Sequence, residues 1–336
     1  MNKWFAQADE RKLAIITQTA NRVGLPPQAV EKDLWVTLIL KALFDLPISR
    51  HMVFKGGTSL SKAWKQIERF SEDIDLAIDR TYFGFNGDLG KNQLDKLRKI
   101  SCAFVTTDLK IHLENKLHTL GADSDTFSLI AREVKSTDTD PQTLELQYQP
   151  LVGSEGYLPD RVLIEVGSRS LMEPHKPRSI QSLIDDAYPQ QEFTGLSFQV
   201  PSVVPERTFL EKIMLLHEEF LKNPEKSRPN RMSRHLYDLH RLMDTDYGIN
   251  AIKDKVLFET IASHRRKFTP IRGLDYSLHT PQTINLIPPE SVIAEWEADY
   301  KVMQTNIIYG DAPSFKDLLK RMNALMGRLK IQDKQA

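Results

Sequence analysis

The sequence contains a single cysteine, Cys102, in 336 residues, which excludes intrachain disulfides and any cysteine-rich metal site. It also has no excess of charge, because 45 Lys and Arg residues balance 45 Asp and Glu residues. A global electrostatic attraction to nucleic acid or to a membrane surface is therefore excluded. Any site for a polyanion must be a local patch.

Long apolar runs are also missing. No run approaches the roughly 18 apolar residues that a membrane-spanning helix needs, and the first residues, MNKWFAQ, contain no apolar segment of a secretory signal. No internal repeat and no low-complexity tract is present. We therefore expect a cytoplasmic protein that is neither secreted nor membrane-spanning.

The apolar pattern changes near residue 200. Before that point, alternating or continuous apolar runs predict strands among helices, and after it the periodicity is helical throughout. The predicted strands are 51–54, 74–78, 127–134, 144–148, 161–167 and 196–200. The predicted helices are 5–22, 27–43, 59–67, 89–119, 206–221, 232–243, 251–263, 291–306 and 314–329. The pattern predicts an α+β fold, with a mixed sheet and flanking helices in residues 1–200 and a helical region in residues 201–336.

Three local signals complete this outline. Thr137 to Pro141 is a turn sequence that would join two strands into a hairpin. Pro174 and Pro177 indicate a loop. Charged residues 31–33 interrupt an apolar helix, and we interpret them as its solvated face, with a functional role as the alternative.

The stretch 54–76 carries the most chemistry. It begins with a glycine turn, Gly56 and Gly57, that precedes a helix. Glycine lets the backbone approach a ligand closely, and N–H groups at a helix start, with the hydroxyl of Thr58 or Ser59, form a cradle for phosphate. A glycine turn alone is usually only a turn.

Two carboxylates follow the turn. Asp73 and Asp75 alternate along a predicted strand, so both side chains leave one face about 7 Å apart. Such a pair repels unless a cation lies between the two groups, and Mg²⁺ is the natural choice because it takes oxygen ligands from carboxylates, water and substrate phosphate. Glu165, the only acid in the apolar run 162–166, is the candidate for a third acid. Singly, these features are typical of a solvated strand face or an edge strand. In this order they favour Mg²⁺-dependent phosphoryl or nucleotidyl transfer from an NTP.

The later helices offer further charged groups. Lys212 lies at the edge of an apolar helix face, where it would either snorkel to water or reach a triphosphate. Asp238 is flanked at helical spacing by Arg234 and Arg241, which indicates a structural ladder of ion pairs. The basic run 264–267 indicates either a solvated helix end or a contact with a nucleic-acid backbone.

Residues 54–60 (FKGGTSL) and 69–76 (RFSEDIDL) resemble the AbiEii/AbiGii toxin family, which comprises nucleotidyltransferase-like toxins of abortive-infection and type IV toxin–antitoxin modules. Residues 30–36 are similar to the family's N-terminal helix. Residues 207–213 are similar to its second motif, a helix with a lysine, and residues 233–239 to its third, a helix with an aspartate. The chain departs from the third motif at His235.

The resemblance implies a nucleotidyltransferase fold in which the helical region completes the active-site cleft. It implies Mg²⁺-dependent transfer of an NMP from an NTP to a hydroxyl of tRNA or protein, in phage defence, and a cognate antitoxin that is a DNA-binding repressor. The residues assigned to nucleotide binding are Lys55, Gly56, Gly57, Thr58, Ser59, Lys212 and Arg234, with Arg231 as an alternative to Arg234. The metal ligands are Asp73 and Asp75. The catalytic residues are Asp73, Asp75, Glu165, Lys212 and Asp238, of which Glu165 rests on strand pattern alone.

Two other functions stay open at this point. One is a nucleotide-binding interaction module that keeps the fold without turnover. The other is a nucleotidyltransferase that acts on a small hydroxyl compound. The size of the helical region favours a macromolecular acceptor over a small one.

Overall fold

The structure is a computed structural model that describes residues 2–133, 136, 139–153, 158–223, 225 and 229–334. Two residues of the predicted hairpin turn, 137 and 138, lie outside this part of the chain. Contacts divide the chain into two compact units. Unit 1 comprises Met1–Ala63 and Phe70–Val203, and unit 2 comprises Trp64–Arg69 and Val204–Ala336. Within the described residues, no helix combines the length and apolar character needed to cross a membrane.

Unit 1 contains a seven-stranded sheet formed by the described residues. Its strands are β1 (Met52–Lys55), β2 (Ile74–Ile78), β3 (Phe127–Ala131), β4 (Gln142–Tyr148), β5 (Arg161–Gly167), β6 (His175–Ile180) and β7 (Phe198–Val203). The order is β3-β4-β5-β2-β1-β7-β6. The β2/β5 and β1/β7 pairs are parallel and the others are antiparallel. The predicted mixed sheet, including the hairpin of β3 and β4, is therefore confirmed.

Helices flank this sheet, as predicted. They are α1 (Asn2–Phe5), α2 (Asp9–Val23), α3 (Pro27–Phe44), α4 (Gly56–Thr58), α5 (Lys91–Phe104), α6 (Lys110–Thr119) and α7 (Leu183–Ala187). A π-helical turn at Val105–Leu109 joins α5 to α6, so the long helix predicted at 89–119 contains one wider turn. Helix α3 begins with Pro27 at its first turn and is buried along most of its length.

The helix after the glycine turn differs from its prediction. It was expected at 59–67, but the structure begins it at Gly56 and ends it at Ala63, with a π-helical turn over Ser59–Ala63. Lys65 has a positive φ of 53°, which no continuing helix allows. The segment that follows belongs to unit 2, where the Trp64 ring packs 5.6 Å from that of Tyr247. The apolar residues predicted on one helix face thus serve two different cores.

The loop predicted around Pro174 and Pro177 is wrong in part, because His175–Ile180 forms strand β6. This strand is last in the sheet order and pairs only with β7. Proline lacks a backbone N–H, so an edge strand tolerates it where a central strand does not. Strand β7 was predicted at 196–200 and lies two to three residues further along.

Unit 2 is helical, as predicted. Its helices are α8 (Pro205–Leu221), α9 (Ser233–Leu242), α10 (Asp246–Lys253), α11 (Lys255–Phe268), α12 (Ile293–Asn306) and α13 (Phe315–Lys334). The single helix predicted at 251–263 is instead divided between two helices, because α10 ends at Lys253 and α11 begins at Lys255. Asp254 caps α11, since its carboxylate accepts a hydrogen bond of 2.9 Å from the N–H of Leu257.

Candidate active site

Asp75 lies at the centre of a row of polar residues that crosses the sheet of unit 1. Its Cα is in register with Lys55 of β1 on one side and with Glu165 of β5 on the other. Thr143 of β4 continues the row beyond Glu165. Residues paired in this way project from the same face of a sheet. The sheet therefore brings together the predicted acid pair and the predicted third acid. The edge-strand interpretation of Glu165 is wrong, because β5 lies between β4 and β2.

Asp73 shares the face of Asp75. Along 72–76 the residues alternate, with Glu72, Ile74 and Leu76 buried and the two aspartates half-buried. Side chains alternate between faces of an extended chain, so the aspartates point away from the buried core. The strand pattern in the sequence predicted this arrangement.

The glycine turn lies directly against Asp75. Gly56 has a φ of +78°, and a Cβ atom at this position would lie 1.9 Å from Oδ2 of Asp75. No side chain fits at that distance, so glycine is required here for both its conformation and its lack of bulk. The structure thus places the predicted phosphate cradle beside the predicted metal ligand.

Replacing Gly56 by alanine should therefore displace the Asp75 carboxylate. Gly84 is a matched control, because it has a φ of +80° and nothing within 4 Å of its Cβ position. We expect Gly84→Ala to cost about 1–2 kcal/mol of stability, the penalty for the left-handed conformation alone. Gly56→Ala should cost more and should also reduce the predicted nucleotide transfer about 100-fold, the effect of misplacing a reacting group by about 1 Å. Urea unfolding and transfer assays of both variants measure this, and equal effects of the two would contradict the collision.

The two hydroxyls of the turn have different surroundings. Thr58 donates to the backbone carbonyl of Asp73 and lies 2.9 Å from the Ser71 hydroxyl, so it ties the turn to the acid segment. The Ser59 hydroxyl is buried and has no hydrogen-bond partner among the described residues. A buried unpaired hydroxyl costs about 1–3 kcal/mol. Binding of a phosphate by Ser59 stays a prediction.

The oxygen ligands at the turn fit Mg²⁺ in kind and number. Asp73 and Asp75 present two carboxylates on one face, and Mg²⁺ commonly binds to one or two carboxylates while keeping waters and substrate phosphates. In the part of the chain that the structure describes, no group of three or more His, Cys, Asp or Glu residues is arranged to hold a metal ion. Metal binding by Asp73 and Asp75 stays a prediction.

Unit 2 contains a buried cluster of charges around Asp238. The Arg69 guanidinium donates two hydrogen bonds to the Asp238 carboxylate, from Nε to Oδ1 at 2.7 Å and from Nη2 to Oδ2 at 2.8 Å. The Lys212 ammonium lies 2.8 Å from Oδ2 and 3.1 Å from Nδ1 of His235. Lys212 is buried, so the interpretation that it snorkels to water is wrong.

The predicted ladder of Arg234, Asp238 and Arg241 is also not formed around Asp238. Asp238 pairs with Arg69 and Lys212 instead, while Arg241 reaches Glu68 at 3.0 Å. The segment that carries Glu68 and Arg69 also contacts the rest of unit 2 through its backbone. The N–H of Tyr309 donates to the carbonyl of Glu68 at 3.1 Å.

Burial and charge together set the protonation of this cluster. Burial alone would raise the pKa of Asp238, but Arg69 and Lys212 outweigh it and hold the pKa well below its usual value. Burial lowers the pKa of Lys212, and the Arg69 charge adds to this effect. Burial and the charges of Lys212 and Arg234 lower the pKa of His235 well below its usual value. At neutral pH the cluster therefore contains an ionised Asp238 and a neutral His235.

Arg69 belongs to the motif 69–76, but the sequence predicts no role for it. Its buried partner is 169 positions away in the sequence, so no local pattern identifies the pair. One signal was available. Arg69 precedes the apolar Phe70, and an arginine is rarely buried unless it is paired.

The basic run 264–267 ends helix α11. Arg265 pairs with the buried carboxylate of Glu218 through Nε at 2.8 Å, so it is not a solvated residue. The His264 ring stacks on Phe268 with centroids 4.5 Å apart. A contact of this run with nucleic acid stays a prediction.

His217 of α8 should make the stability of unit 2 depend on pH. It is fully buried as the neutral tautomer, with Nε2 donating to the carbonyl of Leu278 and Nδ1 accepting from the N–H of Asn285. Burial, followed by the nearby His279, lowers its pKa to about 4. An unfolded histidine has a pKa of about 6.5, so the stabilisation is complete above that pH and is lost as the pH falls toward 4.

We expect the fully neutral His217 to account for about 2 kcal/mol of stability that is lost between pH 7 and pH 5. The variant His217→Gln keeps one donor and one acceptor but does not titrate. Urea unfolding at the two pH values should show a smaller loss in His217→Gln than in the wild type. His112→Gln, an exposed substitution, is the control. An unchanged pH dependence in His217→Gln would contradict the assignment.

Residues 38–321 match the family model described as Nucleotidyl transferase AbiEii toxin, Type IV TA system. Among solved structures, MenT4, a nucleotidyltransferase toxin from Mycobacterium tuberculosis H37Rv, is 18% identical over 94% of this chain and 98% of its own, with a TM-score of 0.46. JHP933 from Helicobacter pylori is 16% identical over 93% of this chain and 96% of its own, with a TM-score of 0.43. No curated protein shows significant sequence similarity to the chain.

Proposed function

The chain belongs to the AbiEii family of nucleotidyl transferase toxins of type IV toxin–antitoxin systems, and on that premise we propose that it transfers a nucleoside monophosphate from an NTP to a hydroxyl group in a Mg²⁺-dependent reaction. The observation that carries the proposal is the position of Asp75. It lies against Gly56 of the glycine turn and in register with Glu165 of the neighbouring strand. A phosphate cradle, a metal ligand and a proton acceptor are the groups that this reaction requires.

The candidate site residues of unit 1 then have the following roles. The backbone of Gly56 and Gly57 and the hydroxyl of Ser59 bind the triphosphate. Asp73 and Asp75 hold Mg²⁺, which neutralises the charge of the triphosphate when bound. Lys55, in register with Asp75, adds a positive charge to the same face.

The reaction itself is a displacement at the α-phosphorus. The acceptor oxygen forms a bond to that phosphorus, the bond to pyrophosphate breaks, and the proton of the acceptor hydroxyl goes to the carboxylate of Glu165. Contacts of Lys212 and Arg234 with the nucleotide and a catalytic role for Asp238 stay predictions.

The acceptor that we propose is tRNA or a protein hydroxyl, which requires a cytoplasmic location. Membership in a type IV toxin family implies an antitoxin partner. We propose that this antitoxin is a DNA-binding repressor and that the pair acts in abortive infection as a phage defence. An interaction module without turnover and a transferase for small hydroxyl compounds are the alternatives.

The acceptor is identified by incubating the protein with Mg²⁺, total tRNA and total cell protein, and each α-labelled NTP in turn. We expect one NTP to label one acceptor class, and an Asp73→Ala, Asp75→Ala double variant to label none. Mg²⁺-dependent NTP binding without labelling of any RNA or protein would favour the interaction module. Labelling of small hydroxyl compounds alone would favour the third function. A double variant as active as the wild type would contradict the mechanism.

A further inference from the structure

Helix α3 buries three consecutive charged residues, which the sequence had led us to interpret as a solvated face. That interpretation is wrong, because Glu31, Lys32 and Asp33 are 3%, 1% and 8% exposed. Consecutive helical residues are about 100° apart, so three of them span about 200° and cannot share a narrow polar stripe. Each of the three therefore contacts a different segment of unit 1.

Two of these contacts reach the two halves of the candidate site. Lys32 forms an ion pair with the buried carboxylate of Glu72, the residue immediately before Asp73. Asp33 forms an ion pair with Lys62, in the helical turn that follows α4. The second oxygen of Asp33 accepts a hydrogen bond of 2.7 Å from the N–H of Leu183.

These contacts fix a segment that the strand pairing of the sheet does not fix. Asp73 lies one residue before β2 begins, so strand pairing does not fix it. The segment is held from one side by Thr58, which donates to the carbonyl of Asp73, and from the other by Lys32 through Glu72. Because neighbouring side chains of an extended chain point in opposite directions, a fixed Glu72 also fixes the direction of Asp73.

Stability alone does not account for the buried pairs. Desolvation makes a buried ion pair expensive, and replacing both partners by apolar residues of similar volume is often neutral or stabilising. Helix α3 is otherwise largely apolar and offers an environment for such residues. The pairs instead give the glycine turn and the acid segment a single common anchor.

We propose that Lys32 and Asp33 are positioning residues that fix the aspartate pair and the glycine turn in the geometry that binds Mg²⁺ and NTP. The inference rests on the proposed function, since it concerns how that site is held. Lys32 acts on Asp73 through Glu72, and Asp33 acts on the turn through Lys62. Neither residue touches the reacting atoms.

The test is the double variant Lys32→Met, Glu72→Leu, which replaces a buried ion pair by apolar residues of similar volume. Binding of Mn²⁺ alone, followed by electron paramagnetic resonance, gives a readout that does not need activity. We expect the double variant to keep the wild-type unfolding midpoint within a few degrees and to bind Mn²⁺ at least tenfold more weakly. The KM for NTP should rise with little change in the unfolding midpoint.

Glu31→Gln is the matched control on the same helix. Glu31 is equally buried, but its carboxylate accepts from the N–H groups of Leu151 and Val152, at 2.7 and 3.1 Å, away from the turn and the acid segment. It should lower the unfolding midpoint without changing Mn²⁺ affinity. If the double variant does not fold, Lys62→Met tests the other contact and should raise the KM for NTP severalfold.

The outcomes separate this inference from the proposed function. Wild-type Mn²⁺ affinity and KM in a folded double variant would overturn the positioning role while leaving the proposed function intact. A wild-type KM in Lys62→Met would overturn the role of Asp33 in the same way. Wild-type protein that binds neither Mn²⁺ nor NTP would overturn the proposed function, and the inference with it.

Discussion

Asp75→Asn should reduce the rate of nucleotide transfer by about a thousandfold, the scale of losing a group that stabilises the transition-state charge. The substitution removes a negative charge at a position that lies against the glycine turn and in register with Glu165, where we propose that Mg²⁺ binds. The side-chain shape is unchanged, so the fold should be retained. Initial rates with saturating NTP and a titration of Mg²⁺ measure the effect, and added Mg²⁺ should restore only part of the rate.

Asp79→Asn is the matched control for this experiment. Asp79 lies one residue past the end of β2 with the same alternation as Asp75, and its carboxylate accepts from the N–H of Thr81 at 2.9 Å. Asparagine keeps that hydrogen bond, so transfer should stay near the wild-type rate. A similar loss in both variants would show that charge near the sheet matters, but not the position of Asp75.

Asp238→Asn should lower the free energy of unfolding of unit 2 by about 3–5 kcal/mol. Asp238 is fully buried, and its carboxylate is the partner of the buried guanidinium of Arg69 and ammonium of Lys212. Removal of its charge leaves two buried cations without compensation. Chemical denaturation followed by tryptophan fluorescence measures the loss, since Trp296 lies in the core of unit 2.

Arg241→Gln provides the comparison, because it breaks an ion pair with Glu68 whose side chains are 28% and 47% exposed. Exposed pairs contribute about 0–1 kcal/mol, so the loss should be small. The two variants remove one charge each from helix α9 and differ in burial. Equal losses of unfolding free energy in the two variants would contradict the view that burial makes the Asp238 cluster important for stability.

Local patterns in the sequence predicted the helices and strands whose apolar residues recur at a regular spacing. Alternation of apolar residues identified β2 and β5, and it also placed Asp73 and Asp75 on one face. The glycines of the turn were evident because their conformational role is local. A mixed sheet followed by helices is the architecture that these patterns predicted, and the structure confirms it.

Contacts between distant segments could not be predicted in this way. Lys32 and Glu72 are 40 positions apart, and Arg69 and Asp238 are 169 apart. The pattern around a charged residue predicts the helix or strand that contains it, but not the distant residue that it contacts. The charged triplet of α3 was therefore interpreted as solvated, although it is buried. The end of the helix at Ala63 was missed for a related reason, because Trp64 and Ile67 continue its apolar spacing but belong to unit 2.

Nucleotidyl transfer is tested most directly by comparing NTP labelled at the α-phosphate with NTP labelled at the γ-phosphate. Nucleotidyl transfer moves the α-phosphorus to the acceptor and releases the γ-phosphorus in pyrophosphate. For a nucleotidyltransferase we expect only α-labelled NTP to label the acceptor, and Asp75→Asn to reduce the rate of labelling about a thousandfold. Label from the γ-phosphate on the acceptor, or labelling from the α-phosphate at the wild-type rate in Asp75→Asn, would contradict nucleotidyl transfer at this site.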